Sequence, residues 1–225
     1  MTIFVMATYA LIHGAGDVGW YWHLVQTQLR KRGQQAVAMD LPIEDDSAGL
    51  SEYADVVVDA IGDRRHVVVV AQSFGGYTAP IVCERIGARL LVLVAGMIPR
   101  PGESAEEMFV NTGYQGPQGK DSSGVAVFYN DVPPSLAKQA LARGRRQSGT
   151  PGRQPWPLAA WPDVPTRYLL CRQDRFFPAP WVRRVVRDRL GIKPDEIDSG
   201  HTPALSRPDE LADRLVAYAS ALPRS

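Results

Sequence analysis

Apolar runs of strand length alternate with segments of helical spacing along the first hundred or so residues. Thr8 to Ile12, Gln35 to Met39, His66 to Ala71 and Leu90 to Ala95 read as strands, separated by helical patterns over Trp20 to Arg32, Leu50 to Ile61 and Phe74 to Ile86. The strands are apolar at nearly every position instead of every second one. Such strands are buried on both faces, which requires a parallel sheet covered by helices on both sides. The pattern therefore predicts a doubly wound α/β fold. The N-terminal run Met1 to Ala7 is apolar, lacks a basic leading segment and continues straight into Tyr9, so it reads as strand and not as an export signal.

After Gly96-Met97-Ile98-Pro99 the rhythm fails, and the chain stays rich in Gly, Pro and Ser to Pro162. One clear helix is expected there, beginning at Ser135 after Pro133-Pro134. An interruption of this length inside an α/β domain usually forms a lid. The expected organisation is a core of residues 1–97 and 163–225 with a lid insertion over 98–162. The rhythm resumes with a strand at Thr166 to Cys171, a helix from Pro180 to Leu190, a short strand near Glu196-Ile197 and a last helix from Pro208 to Leu222. Pro208 in its first turn, with Asp209-Glu210 behind, marks that start well. About six mostly parallel strands result, with the insertion after the fourth.

Composition narrows the possibilities. With 225 residues, 45% hydrophobic and 22% charged, the chain fits one globular domain with a sizeable core, or one domain plus a small insertion. A formal charge of +1 supplies no field for nucleic acid or an anionic membrane, and the basic runs Arg143-Gly144-Arg145-Arg146 and Arg183-Arg184 read as solvated faces. No stretch approaches the roughly 18 apolar residues that a membrane span needs. Cys83 and Cys171 are too few for a disulfide framework and sit in apolar runs, which points to buried free thiols and a reducing cytoplasm. The expected partner is a small-molecule substrate, with a homodimer left open.

The candidate chemistry starts where the strand ending at Ala71 runs into Gln72-Ser73-Phe74-Gly75-Gly76. A strand that turns into a helix over so few residues strains its central residue, and only small neighbours permit it. The spacing matches the nucleophile elbow G-x-S-x-G, with Ala71 in place of the first glycine. A serine that merely caps the following helix is the plain alternative.

A serine nucleophile needs a base, and the base needs an acid to orient it. Of four histidines, His13, His23, His66 and His201, only His201 lies in a late loop, Asp198-Ser199-Gly200-His201-Thr202-Pro203. Asp174 leaves a strand end at the expected place between Ser73 and His201, whereas Asp163 precedes its strand, Asp188 falls mid-helix and Asp198 crowds His201. Its alternative role is a surface pair with Arg172 or Arg175. The small-residue turn His13-Gly14-Ala15-Gly16 can aim the Ala15 N–H at a developing oxyanion, beside the N–H of Phe74. No Gly-Lys-Ser/Thr occurs, which argues against a nucleotide site, and no cofactor or metal is expected. Phe128, Tyr129 and Trp156 in the insertion, with Gly14, could line a substrate pocket, while packing explains each aromatic equally well.

These pieces, in this order, resemble the α/β-hydrolase superfamily over nearly the whole chain. His13-Gly14-Ala15-Gly16 followed by Trp20-Tyr21-Trp22, the elbow at Ser73, and Gly200-His201-Thr202-Pro203-Ala204-Leu205-Ser206-Arg207-Pro208 are similar to the branch of plant methyl esterases, hydroxynitrile lyases and small bacterial esterases. The resemblance implies a cofactor-independent serine hydrolase that cleaves a small apolar carboxylic ester through an acyl-enzyme. Ser73, Asp174 and His201 would form the triad, with Ala15 and Phe74 as the oxyanion hole. Hydroxynitrile lyases of this branch carry threonine after the strand-end histidine and lysine after the catalytic histidine. Here those positions are Gly14 and Thr202, so hydrolysis is the expectation. Thr202 also departs from the methionine frequent in the plant esterases. The same machinery serves lactone, amide, thioester and carbon–carbon cleavage, and a lyase or a slow, receptor-like ligand binder are the alternatives.

Overall fold

Every residue of Val67–Gln72 is buried, as are those of Thr8–Ile12 and Leu90–Val94, and a parallel sheet covered on both faces is the result. The computed structural model describes residues 6–119, 121 and 123–223. Its strands are β1 (Thr8–Ile12), β2 (Gln35–Ala38), β3 (Val67–Gln72), β4 (Leu90–Val94), β5 (Thr166–Cys171) and β6 (Asp195–Ile197), in spatial order β2-β1-β3-β4-β5-β6 with every neighbouring pair parallel. The side chains of β3 divide by the period of two. Val67, Val69 and Ala71 join one core, and Val68 and Val70 join the other.

The helices divide in the same way. Leu50–Ile61 (α2), Gly75–Ile86 (α3) and Ala179–Leu190 (α8) pack on the first face, while His23–Lys31 (α1) and Pro208–Ser220 (α10) cover the second. The helix expected over Trp20 to Arg32 divides into a 3₁₀ turn, Gly19–Trp22, followed by α1. Gly19, at the start of the turn, lies tight against the chain after β2. Its N–H donates to Asp40 Oδ1 at 2.8 Å, and a Cβ there would lie 2.9 Å from the Met39 carbonyl carbon. The third strand begins one residue late because His66 adopts a left-handed conformation, φ 53°. Of the N-terminal strand expected over Met1 to Ala7, residues 1–5 lie outside the described residues, and Met6 and Ala7 precede β1.

Between β4 and β5 the described residues form four short helices where one was expected. These are Ala105–Asn111 (α4), Gly124–Phe128 (α5), Pro134–Arg143 (α6) and Thr150–Arg153 (α7). A further unanticipated helix, Pro203–Ser206 (α9), precedes α10. Arg189 on α8 forms a buried ion pair with Glu103, just ahead of α4, and also donates to the Ile98 carbonyl at 2.6 Å. Among the described residues no helix is long and apolar enough to cross a membrane.

Candidate active site

In a parallel sheet all strands point their carboxyl ends the same way, and a crevice opens where the connections reverse direction. Here the chain moves from β1 to β2 on one side, then crosses to β3 on the other, so the reversal falls between β1 and β3. His13 and Gly14 leave the end of β1 there, and Ser73 leaves the end of β3.

Ser73 has φ 51°, a left-handed conformation that costs a serine about 1–3 kcal/mol. Surrounding bonds hold it. Its carbonyl accepts from the N–H groups of Gly76 at 3.1 Å and Met97 at 2.9 Å. A Cβ on Gly75 would lie 2.8 Å from the His13 carbonyl oxygen, and one on Gly76 would collide with that of Met97, so this approach needs both glycines. Ser73 does not cap the helix. The N-cap of α3 is Phe74, and no side chain bonds there.

Asp174 and His201 meet directly, His201 Nδ1 lying 2.7 Å from Asp174 Oδ2, with both side chains buried. The second carboxylate oxygen, Oδ1, accepts from the N–H groups of Phe176 at 2.8 Å and Phe177 at 2.9 Å. With both oxygens committed, the acid has one orientation. A carboxylate at Nδ1 places the ring proton there and leaves Nε2 as the free base. The rings of Phe128, Phe176 and Phe177 each stand 5.3 Å from the imidazole, edge to face, and sheathe it from water.

Ser73 is 8% exposed and His201 2%. Among the described residues no hydrogen bond joins the serine hydroxyl to the imidazole, and the link between their segments runs through Gln72, whose Nε2 donates to the His201 carbonyl at 3.2 Å. The two backbone donors expected of an oxyanion hole, Ala15 and Phe74, lie at the ends of β1 and β3, and among the described residues neither is spent on a backbone carbonyl. Gly14 touches the elbow itself. A Cβ there would be 2.9 Å from Ser73 Cβ and would run into the Gln72 amide oxygen.

The aromatic candidates scatter. Phe128 meets His201 edge to face, whereas Trp156 is buried in the first core with its indole N–H donated to the Tyr77 carbonyl at 3.1 Å, and Tyr129 packs against the second core. Among the described residues no three His, Cys, Asp or Glu side chains converge as a metal site.

Sequence reasoning gave His13 no part beyond the turn, yet it holds that turn in place. Its Nε2 accepts from the Leu41 N–H at 3.1 Å, so Nδ1 carries the proton and donates to the Gly14 carbonyl at 2.8 Å. Burial, the largest influence, lowers its pKa and keeps it neutral. Asp17 was missed as well. Burial raises its carboxyl to about 6, although the Val18 N–H at 2.9 Å and nearby His201 both favour the ionised form.

Residues 10–214 match the sequence profile described as the Alpha/beta hydrolase family. The chain belongs to this family. Among its relatives is a probable hydrolase, R7, from Phoma sp., 29% identical over 219 residues and covering 85% of this chain and 89% of the relative. Methylesterase 9 of Arabidopsis thaliana is 22% identical over 258 residues, covering 97% and 100%. The α/β-hydrolase fold also matches a pyrethroid hydrolase from Sphingobium faniae JZ-2, with TM-score 0.78 at 20% identity over 97% of this chain and 98% of that one. Polyneuridine aldehyde esterase matches with TM-score 0.79 at 20% identity, over 96% and 100%.

Proposed function

We propose that this α/β-hydrolase is a carboxylic-ester hydrolase of small, largely apolar substrates, acting through a Ser73 acyl-enzyme. The observation that carries the reading is the buried Asp174–His201 contact at 2.7 Å, which leaves the imidazole Nε2 as a base at the sheet edge where Ser73 sits in its strained turn. In the reaction His201 takes the Ser73 proton as the hydroxyl oxygen attacks the ester carbonyl carbon. The oxyanion is met by the N–H groups of Ala15 and Phe74. The protonated imidazole then passes its proton to the leaving alcohol, and water repeats the sequence to release the acid. Asp174 orients the ring and stabilises the imidazolium throughout.

The phenylalanine sheath around His201 supports an apolar acyl group, and the esterase names among the relatives support an ester. Gly14 and Thr202, in place of the threonine and lysine of the hydroxynitrile lyases, favour hydrolysis over cyanide release. Two buried free thiols suit a reducing cytoplasm. The test is a fluorophosphonate probe followed by peptide mass analysis, run beside a panel of methyl, aryl and lactone esters. Labelling is expected on Ser73 alone, and Ser73→Ala should lose the label and about 10⁴-fold or more in kcat. Ester turnover that survives Ser73→Ala would sink the reading.

A further inference from the structure

We propose that Thr202 and Asn130 are positioning residues through which the segment Ala126–Asp131, on and just after α5, clamps the acid–base pair in working register. The inference rests on the serine-hydrolase reading of Asp174 and His201 and adds to it residues outside the triad.

The contacts fall on both sides of both groups. Beside the base, Thr202 Oγ1 donates to the Phe128 carbonyl at 2.7 Å, and the Phe128 ring covers His201 itself. On its other flank, a Cβ at Gly200 would lie 2.6 Å from Asp131 Oδ1 and would collide with Asn130 Oδ1, so a side chain there would have to push both polar groups aside. Beside the acid, Asn130 Nδ2 donates to the Gln173 carbonyl at 3.2 Å, and Arg175 donates back to the Ala126 carbonyl at 3.1 Å. Residues 173 and 175 bracket Asp174 as residues 200 and 202 bracket His201.

Both carboxylate oxygens of Asp131 and the amide oxygen of Asn130 are buried and, among the described residues, have no hydrogen-bond partner. Burial of a polar group without a partner costs free energy, and natural chains keep such costs mainly where position matters. Thr202 gains a role by the same geometry. It is 4% exposed and points its hydroxyl away from water into the clamp, which explains a threonine where related enzymes carry lysine or methionine. The loops bearing Asp174 and His201 follow neighbouring strands and already meet through the Gln173 N–H on the Ser199 carbonyl at 2.9 Å and Gln173 Nε2 on Asp198 Oδ1 at 2.8 Å, and Ala126–Asp131 adds a hold on both from a third segment.

Thr202→Val removes the hydroxyl at constant shape, Asn130→Ala removes the amide, and Thr202→Ser keeps the donor as the conservative rescue. Steady-state kinetics on the best ester is paired with proton NMR of the downfield His201 Nδ1–H resonance. A displaced base loses turnover without losing substrate affinity. Thr202→Val and Asn130→Ala should therefore each lower kcat about 10- to 100-fold with KM within about twofold, and should broaden the resonance and speed its exchange. Thr202→Ser should retain both properties. Unchanged kcat and an unchanged resonance in both variants would overturn the inference. Activity that survives Ser73→Ala would remove the nucleophile reading alone, and the imidazole resonance would then decide the clamp by itself.

Discussion

His13 and Asp17, four residues apart in one turn, answer acid in opposite directions. For His13 the unfolded chain binds a proton near the ordinary value of 6.5, while burial lowers the folded value. Between those two values the unfolded state holds more protons, so stability falls as pH drops below 6.5 and levels off below the folded value. His13→Gln should remove that slope from urea midpoints measured across acidic pH. Asp17 is raised from 3.8 to about 6, so its folded form holds the extra proton. Its contribution is best at low pH and is lost as pH rises from 3.8 through about 6. Asp17→Asn should therefore stabilise the protein by about 1–3 kcal/mol at pH 8, with the gain gone by pH 4. The sequence marked His201, Asp174 and Ser73 by chain order and strand ends. It could not mark Gln72, because nothing local shows that its amide reaches a carbonyl 129 positions away.

At the scale of elements, the strands of the parallel sheet were legible because burial on both faces leaves a continuous apolar run. Between β4 and β5 only α6, announced by Pro133-Pro134, was legible; α4, α5 and α7 were not, because helices of four to seven residues offer too few turns for a period to show. α4 did carry a signal that was passed over. Ser104 and Glu107 form a capping box, with Ser104 Oγ accepting from the Glu107 N–H at 3.2 Å and the Glu107 carboxylate accepting from the Ser104 N–H at 2.8 Å. This stretch is held to α8 by Glu103 and Arg189. Burial pushes the Glu103 carboxyl up, but hydrogen bonds from Arg189 and Asn111 outweigh it and leave it below its ordinary value. Glu103→Gln strands a buried guanidinium and should cost about 3–5 kcal/mol in chemical denaturation, whereas the apolar pair Glu103→Leu with Arg189→Met should recover most of the loss.

For the whole molecule, the two cores on opposite faces of the sheet each enclose one thiol, Cys83 in the first and Cys171 in the second. Burial pushes both thiols far above their ordinary value. The native protein should leave Ellman's reagent unreacted, and the denatured chain should titrate both; a thiol that reacts in the native state would show that one of the cores opens. The crevice between β1 and β3 gathers residues from the beginning, middle and end of the chain, which is why a long-range contact such as that of Gln72 with the His201 carbonyl did not show in the sequence. Gly14 shows what that gathering means for change. A side chain there must displace the Gln72 amide, and Gln72 is what holds the His201 carbonyl. Positions 14, 72 and 201 therefore form one mutational unit. A library that varies residue 14 alone, in search of new chemistry, samples chiefly damaged bases, and productive routes run through paired substitutions at 14 and 72.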